Sequence, residues 1–423
     1  MNTSEFIAQY RTHDPRGLAF QAHRFPGVDM PFALDQIQGW QTARRKLPSW
    51  AESDGIVYPP HLNMEQCSSE PTARYKQEVV RRWLESCRDT AGCPTSMTDL
   101  TGGFGVDFSF TSRCFGVATY VERNAALCDV VGANMPRLGV SNAKVVCAEA
   151  EAFLDDMPRQ TMIFLDPARR DEHGAKTVLI GDCVPDVSAM LPQLMAKSCF
   201  TMLKLSPMLD WHKAVADLQD MVREVHIVSV GGECKELLLV LSKDFAGDGM
   251  RVACVDISPK ADAVGRYGKS MFEYVIGNGG SSHAIQRCGA VQLHALNAEL
   301  KIQDTKYLYE PNASIMKAGC FGELSEACGV EAVSSNSHLF MSRDMVEDFP
   351  GRAFSVDCVT TMNKRELKRA LGGLDKANIA VRNFPMSVAE LRKRLKLKDG
   401  GDVYVFATTT ASGEHVIVLC HKD

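Results

Sequence analysis

Residues 98–107 read TDLTGGFGVD, with three glycines in four positions directly after the strand-like run SMTDL. A glycine-rich turn between a strand and a helix lets a ligand approach the backbone at the N-terminus of the helix. A dinucleotide-binding turn, G-x-G-x-x-G, needs a small third residue after Gly103 and Gly105, but Phe108 stands there. The turn therefore argues against a pyrophosphate, and Asp99 just before it suits a ligand with an ammonium group.

Strand and helix signals alternate around this turn, from residue 96 to residue 243. The strand-like runs are SMTDL, VATYVE, AKVVCAEA, TMIFLDPA, FTMLKLSP, REVHIVSV and ELLLVLS. Helix-length polar segments separate the earlier runs, which predicts an α/β fold with a doubly wound parallel sheet. Only GGECK joins the last two runs, so we expect them to pair antiparallel at the sheet edge.

Acidic residues stand where three successive strands of this sheet are expected to end. Asp99 ends the first strand, Glu122 the second, and Glu149 follows the third. Each alone is as readily a surface or capping carboxylate as a ligand-binding group. Together, around one glycine turn, they predict a site at the carboxyl edge of the sheet, with Glu122 placed for ribose hydroxyls and Glu149 for an adenine edge.

The fourth strand ends in IFLDPARR, which puts Asp166 at the carboxyl end of a central strand. At this point the sequence resembles the class I S-adenosylmethionine-dependent methyltransferases, over roughly residues 66–243. The resemblance implies a Rossmann-like, seven-stranded sheet whose last strand is reversed, and S-adenosylmethionine as the cofactor. The positions that it implies for cofactor binding are Asp99, Thr101, Gly102, Gly103, Gly105, Glu122, Glu149 and Asp166.

The C-terminal sequence from residue 353 predicts a small α/β domain. It contains FSVDCVTT, the helical NKRELKRALGGL, the strand ANIAVRNF, the helix SVAELRKRLKL and a closing hairpin. This tail resembles the THUMP-like domain behind bacterial methyltransferases, and KYLYEPNASIMKAG before it resembles the ferredoxin-like insert of the same group. Because THUMP domains bind RNA, the resemblance implies an RNA substrate, tRNA or rRNA.

The charge distribution gives independent support for RNA binding. Residues 361–400 contain eleven Lys or Arg and four Asp or Glu, a balance of +7. The whole chain has a net charge of −5, so the remaining residues together carry −12. A basic module on an acidic body is typical of phosphate contact. A solvated helix face explains the same charges almost as well. The candidate substrate-binding residues are Lys393 and Arg394 here, and Arg169 and Arg170 in the DPARR run.

The residue types of the predicted site limit the chemistry. Methyl transfer from a sulfonium needs a positioned nucleophile, and a base nitrogen needs a group that holds its N–H, for which Asp166 is the candidate. Lys204, inside the apolar run MLKL, is a second candidate catalytic residue. Enzymes that methylate carbon 5 of uracil attack with a cysteine where this chain has Leu205. Nitrogen or oxygen is therefore the expected acceptor.

Residues 1–85 are predicted to be mostly helical. The predicted domains are an N-terminal helical region (1–85), a methyltransferase domain (86–245), a ferredoxin-like middle domain (246–345) and a THUMP-like domain (350–423). The N-terminus carries no targeting signal, no apolar run is long enough for a membrane, and the cysteines lack zinc-ligand spacing. We therefore expect a cytoplasmic protein without a metal; the sequence gives no oligomeric state.

Three other functions stay open at the level of sequence. The first is an RNA-binding adaptor that keeps the methyltransferase fold without turnover. The second is a methyltransferase for a small molecule or a protein, with the C-terminal domain used for dimerisation. The third is a dehydrogenase, which the imperfect glycine fingerprint disfavours.

Overall fold

The computed structural model describes residues 1–87, 95–169, 180–244, 249–277, 279–285 and 301–422. The chain divides into two compact units. The first contains Met1–Val225 and Glu236–Gly247, and the second contains His226–Lys235 and Asp248–Asp423. Each unit is described by itself.

The first unit opens with helices, as the sequence predicts. They are α1 (Thr3–Tyr10), α2 (Pro15–Phe20), α3 (Met30–Lys46), α4 (Pro48–Glu52), α5 (His61–Gln66) and α6 (Glu70–Cys87). Polar caps start three of them, because the side chains of Asn2, Asp14 and Asp29 accept hydrogen bonds from N–H groups of the first turn. Helix α6 buries Val79, Val80 and Trp83 along one face.

The sheet of the first unit follows these helices. Its strands are β1 (Ser96–Asp99), β2 (Val117–Glu122), β3 (Ala143–Cys147), β4 (Gln160–Leu165), β7 (Ser198–Leu205), β8 (Val222–Val230) and β9 (Glu233–Leu241); the short β5 (Ala168–Arg169) and β6 (Cys183–Val184) pair with each other. The intervening helices are α7 (Val106–Thr111), α8 (Ala125–Arg137), α9 (Ala150–Asp156), α10 (Val187–Lys197) and α11 (Trp211–Asp217).

The strand order is β3-β2-β1-β4-β7-β9-β8. Neighbours from β3 to β7 pair parallel, and β9 pairs antiparallel with β7. The predicted sheet with a reversed strand is therefore confirmed, and it has ten strands in all, because three more follow β8 in the order. Parallel strands end at one edge, so the residues that follow β1, β2, β4 and β7 are brought together there.

The tip of the β8–β9 hairpin belongs to the second unit, where further strands extend the order. They are β10 (Gly249–Ala261), β11 (Tyr267–Gly277) and β12 (Ser282–Ala284), in the order β12-β11-β10-β8. Gly231 N–H donates to Ile257 O over 2.9 Å, and β10 and β11 form a long antiparallel hairpin. The sequence prediction missed this extension, because glycine-rich turns at 277–280 obscured the strand pattern.

The second unit also contains a separate sheet with the order β14-β15-β13-β16-β19-β18-β17. Its strands are β13 (Tyr307–Pro311), β14 (Glu331–Ala332), β15 (Phe340–Ser342), β16 (Gly351–Thr361), β17 (Asn378–Arg382), β18 (Val403–Thr409) and β19 (His415–Lys422). Its helices are α12 (Ala313–Ala318), α13 (Phe321–Cys328), α14 (Lys364–Ala370) and α15 (Val388–Leu395). The elements predicted beyond residue 353 are all present, including the capping box of Ser387 and Glu390.

The two C-terminal helices cover one face of this sheet. Leu391 and Leu395 of α15 are buried in a cluster with Val405 and Ile417 of the strands, and Leu367 of α14 packs against it. Because the apolar sides of both helices face the sheet, their charged residues are left outside. Within the described residues, no helix is both long and apolar enough to cross a membrane.

Candidate active site

Asp99, at the end of β1, is the most buried acid at the carboxyl edge of the sheet. It is 1 % exposed, and the hydrogen bond that its carboxylate accepts among the described residues comes from Thr101 N–H, over 3.0 Å to Oδ1. Burial raises the pKa of Asp99 well above its ordinary value, and the neighbouring carboxylates of Asp107, Asp166 and Glu122 raise it further. A cation placed beside Asp99 would relieve this penalty.

The glycine turn is shaped by two different requirements. A Cβ on Gly102 would lie 2.0 Å from the Tyr120 ring, so the position needs a residue without a side chain. Gly103 and Gly105 instead adopt φ of 53° and 76°, which glycine tolerates at little cost. The Tyr120 hydroxyl donates to Gly103 O and fixes the turn over β2. The three glycines thus leave bare backbone at the start of α7.

Glu122, at the end of β2, is held by backbone N–H groups on both oxygens. Gly103 N–H donates to Oε2 over 3.0 Å, and Asn124 N–H donates to Oε1 over 2.9 Å. A carboxylate oxygen can accept more than one hydrogen bond, so both keep capacity for a ligand. The half-buried Glu122 is therefore fixed beside the glycine turn in an orientation that suits a pair of vicinal hydroxyls.

Asp166 connects the glycine turn to Lys204. Asp166 N–H donates to Thr101 Oγ1 over 2.6 Å, and the Lys204 ammonium donates to Asp166 Oδ2. The Asp166 side chain is 39 % exposed and that of Lys204 13 %. Among the described residues Oδ1 of Asp166 has no partner, so it is available to a ligand from solvent.

Lys204 is a cation surrounded by acids. Burial disfavours its charge, but the carboxylates of Asp166, Asp107 and Glu236 outweigh burial and raise the pKa of Lys204 above its ordinary value. Lys204 is therefore a fixed positive charge at neutral pH and cannot serve as a base. Its contact with Asp166 orients that carboxylate.

Other residues predicted for the site lie at its margin or beyond it. Glu149 is exposed at the start of α9 and makes no side-chain cap. Arg169 ends the short strand β5, and Arg170 lies outside the described residues. In the second unit, Lys393 and Arg394 are exposed on α15.

The described residues hold a buried ion cluster that the prediction of the site did not include. Lys76 of α6 is 0 % exposed, and its Nζ lies 3.2 Å from Asp107 Oδ1 and 2.5 Å from Glu236 Oε1. Ser68 Oγ donates to Asp107 Oδ2 over 2.6 Å. The sequence carries one signal of this cluster, because Lys76 lies on the apolar face of α6 at helical spacing from Val79, Val80 and Trp83.

Comparison with known proteins agrees with this architecture. A crystal structure of a proposed methyltransferase from Porphyromonas gingivalis W83 superposes with a TM-score of 0.75 at 27 % identity, covering 100 % of this chain and 99 % of that one. A family model described as THUMP domain-like matches residues 351–422, and a ferredoxin-like domain model matches 307–350. The chain is a methyltransferase of the S-adenosylmethionine-dependent class.

Further solved structures match a smaller share of the chain. An O-methyltransferase from Bacillus cereus in complex with SAH superposes with a TM-score of 0.30 at 10 % identity, covering 48 % of this chain and 100 % of that one. A proposed methyltransferase of Escherichia coli gives 0.28 at 17 %, covering 40 % and 87 %. No curated protein matches this sequence.

The cofactor of this methyltransferase is S-adenosylmethionine, and the residues present fit it. At neutral pH this cofactor carries a sulfonium, an ammonium and one carboxylate, a net positive charge. Asp99 is a buried carboxylate that accepts a hydrogen bond from Thr101 N–H on Oδ1, and its negative charge suits the ammonium. Glu122 could accept hydrogen bonds from ribose hydroxyls, and the bare turn at Gly103 would let a cofactor approach the backbone.

Proposed function

We propose that this methyltransferase methylates a base nitrogen in RNA, tRNA or rRNA, and that its basic C-terminal domain docks the RNA. In this proposal Asp99, Glu122 and the glycine turn bind the cofactor, as do Thr101 and Glu149. Asp166 and Lys204 act on the acceptor. The observation that carries the RNA part is the basic outer surface of α14 and α15 in the THUMP-like domain.

That surface has the composition expected for phosphate contact. Its exposed cations are Lys364, Arg365, Lys368, Arg369, Lys393, Arg394, Lys396 and Lys398. The helices bury their leucines against the sheet, so these charges are free of any packing role. Cations displayed this way bind a polyanion by releasing its counterions, without reading a sequence. Recognition of the base then belongs to the methyltransferase site.

The contacts of Asp166 support a nitrogen acceptor. The cofactor supplies a methyl group on a sulfonium, whose sulfur leaves as a neutral thioether. Asp166 Oδ1 can accept the N–H of a base nitrogen and direct the lone pair of that nitrogen at the methyl carbon. The new bond is N–CH3, and the N–H proton passes to Asp166 and then to water. Lys204 holds the other oxygen throughout.

Methylation of carbon through a covalent enzyme–base adduct is disfavoured by the thiols near the site. Leu205, where such enzymes carry a cysteine, is 3 % exposed and has no nucleophilic atom. Cys67 lies close enough for Asp107 and Lys204 to affect its charge, but burial raises the pKa of its thiol to about 11. A thiol with this pKa is protonated at neutral pH and is a poor nucleophile.

Mass spectrometry of nucleosides from every RNA class tests the proposal, comparing a strain that lacks the gene with its parent. We expect one methylated base to be missing and to return when the full-length gene is restored. An unchanged set of modified nucleosides would contradict the proposal. Methyl transfer by the purified protein to a small molecule, with RNA absent, would favour a different substrate.

A further inference from the structure

The buried ion cluster on α6 aligns with the Asp166–Lys204 pair. The members carry alternating charge, from Asp166 through Lys204, Glu236 and Lys76 to Asp107. Direct contacts join Asp166 to Lys204, Glu236 to Lys76 and Lys76 to Asp107. We call these five residues the charge row. It starts at the acid proposed to hold the acceptor and ends beside the glycine turn.

Strand register connects the two halves of the charge row. Lys204 of β7 lies opposite Leu238 of β9. Side chains two residues apart on a strand share one face, so Glu236 projects on the face of Lys204, one diagonal step away. Glu236 raises the pKa of Lys204, and Lys204 in turn lowers that of Glu236. The two groups therefore interact electrostatically across neighbouring strands.

Buried charges of this kind are costly unless each has a partner. Lys76 is fully buried and Glu236 is 2 % exposed, so hydration by bulk water cannot stabilise either charge. Hydrophobic side chains at both positions would satisfy the packing of α6 without this cost. The retention of a full ion pair directly behind Lys204 indicates a role in setting the charge of the site.

We propose that Lys76 and Glu236 are positioning residues for methyl transfer: Lys76 holds Glu236 through their direct ion pair, and Glu236 helps to fix the Lys204 ammonium against Asp166. This inference rests on the proposed role of Asp166. It adds that the N-terminal helical region, through α6, controls the geometry of the acceptor site. Without Glu236, Lys204 loses one of the three carboxylates that surround it and can draw the Asp166 carboxylate away from the acceptor.

The charged groups that face Glu236 define how the charge row titrates. They are Lys76 from α6, Asp107 from α7 and Lys204 from β7. Burial raises the pKa of Glu236, whereas Lys76 and Lys204 lower it. Loss of Lys76 therefore raises the pKa of Glu236 further, so that it takes up a proton at higher pH. Below that pH, Lys204 loses the negative charge of Glu236, while Asp166 and Asp107 remain near it.

The test compares Lys76→Met, Glu236→Gln and the double variant, all in the full-length protein. We expect methyl transfer to RNA to fall about 10- to 100-fold in each, because displacement of a reacting group by about 1 Å costs about 100-fold. S-adenosylmethionine affinity should stay within about threefold of wild type, since Asp99 and Glu122 are unchanged. In the double variant both positions are neutral, so neither carries a buried charge without its partner. This variant is therefore expected to fold even if a single variant does not.

The pH profile separates positioning from structural support. In Lys76→Met, the fall in the rate of methyl transfer on the acid side should occur at a higher pH than in wild type. In Glu236→Gln, the part of this fall that comes from protonation of Glu236 should be absent. Gln77→Leu is the matched control: Gln77 neighbours Lys76 on α6 and donates to Phe110 O over 2.6 Å. It should lower the melting temperature and leave the pH profile unchanged. Equal profiles for Lys76→Met and wild type would overturn the inference.

A second readout keeps this inference separate from the RNA proposal. NMR titration of protein labelled at the lysine ε carbon reports the pKa of Lys204, with the signal assigned from Lys204→Met. The Lys204 pKa should fall in Glu236→Gln and stay unchanged in Gln77→Leu. If wild-type protein methylates no RNA but the Lys204 pKa falls in Glu236→Gln, the RNA proposal is wrong. The inference that Glu236 acts on Lys204 is then still supported. No shift in Glu236→Gln would overturn the charge row itself.

Discussion

The charges of the carboxyl edge and those of the C-terminal helices follow opposite rules. At the carboxyl edge, Asp99 and Lys76 are buried, and each charge has a defined neighbour. On α14 and α15, cations such as Lys393 and Arg394 are exposed and project into solvent. A buried charge interacts strongly with the few groups that it contacts. Exposed charges interact with a ligand through their summed electrostatic potential, which salt weakens. The two regions should therefore respond very differently to single substitutions.

The largest expected effect is that of Asp99→Ala. Removal of one partner of a buried charge pair costs about 2–5 kcal/mol, so S-adenosylmethionine affinity should fall by about 30-fold or more. Calorimetric titration measures it. Asp129→Ala is the control, because Asp129 is an exposed acid on α8 of the same unit and should bind normally. Equal S-adenosylmethionine affinities for Asp99→Ala and Asp129→Ala would contradict the expected difference between buried and exposed charges.

Gly102→Ala should damage the fold rather than the charge. The added Cβ would lie 2.0 Å from the Tyr120 ring, so the ring or the turn must move, and overpacking of this kind costs about 1–3 kcal/mol. Urea unfolding measures the loss. Gly132→Ala on α8 meets nothing within 4 Å and should stabilise the helix by about 0.5–1 kcal/mol. A stable Gly102→Ala would show that the turn is not fixed by Tyr120.

The buried charge should also make cofactor binding depend on pH. The raised pKa of Asp99 means that it is protonated on the acid side in the free protein. A bound ammonium lowers this pKa, so binding releases a proton and affinity increases with pH until Asp99 is ionised in the free protein. Calorimetry in buffers of different ionisation enthalpy counts the proton. Asp99→Asn should release fewer protons, and an unchanged count would assign the release elsewhere.

The smallest effect per residue is expected at the exposed cations. Lys393→Glu with Arg394→Glu should weaken RNA binding modestly at low salt and reduce the salt dependence by about one unit for each phosphate that is no longer neutralised. Filter binding over a salt series measures the slope. Lys144→Glu, an exposed lysine on β3, is the control and should keep the wild-type slope. Weaker cofactor binding in the double variant would contradict the separation of the two regions.

Where the strand pattern is local, the sequence predicted which residues lie at the carboxyl edge; their role in cofactor binding stays a prediction. Asp99 and the glycine turn follow the short strand-like run SMTDL, and Asp166 follows an apolar run, so the strand pattern brought them to one edge. The reversed strand β9 was predictable because GGECK is too short for a helical crossover. The capping box of Ser387 was equally local.

The charge row was not predictable in full, because its partners are far apart in sequence. Lys76 meets Asp107 across 31 residues and Glu236 across 160, and no periodicity encodes such pairs. A lysine on the apolar face of α6 was the single available clue. The strands β10 and β11 were missed for another reason, since their residues alternate irregularly between glycine-rich turns.

The hydrogen bond from Asp166 N–H to Thr101 Oγ1 has a kinetic consequence. Thr101 belongs to the glycine turn and Asp166 to the proposed acceptor site. A ligand that fixes the position of the turn therefore also fixes the position of Asp166. We therefore expect the cofactor to bind first and RNA second, with S-adenosylhomocysteine leaving last. Product inhibition by S-adenosylhomocysteine should then be competitive against S-adenosylmethionine and noncompetitive against RNA. Thr101→Val, which keeps the shape without the acceptor, should weaken this order and make substrate addition more nearly random.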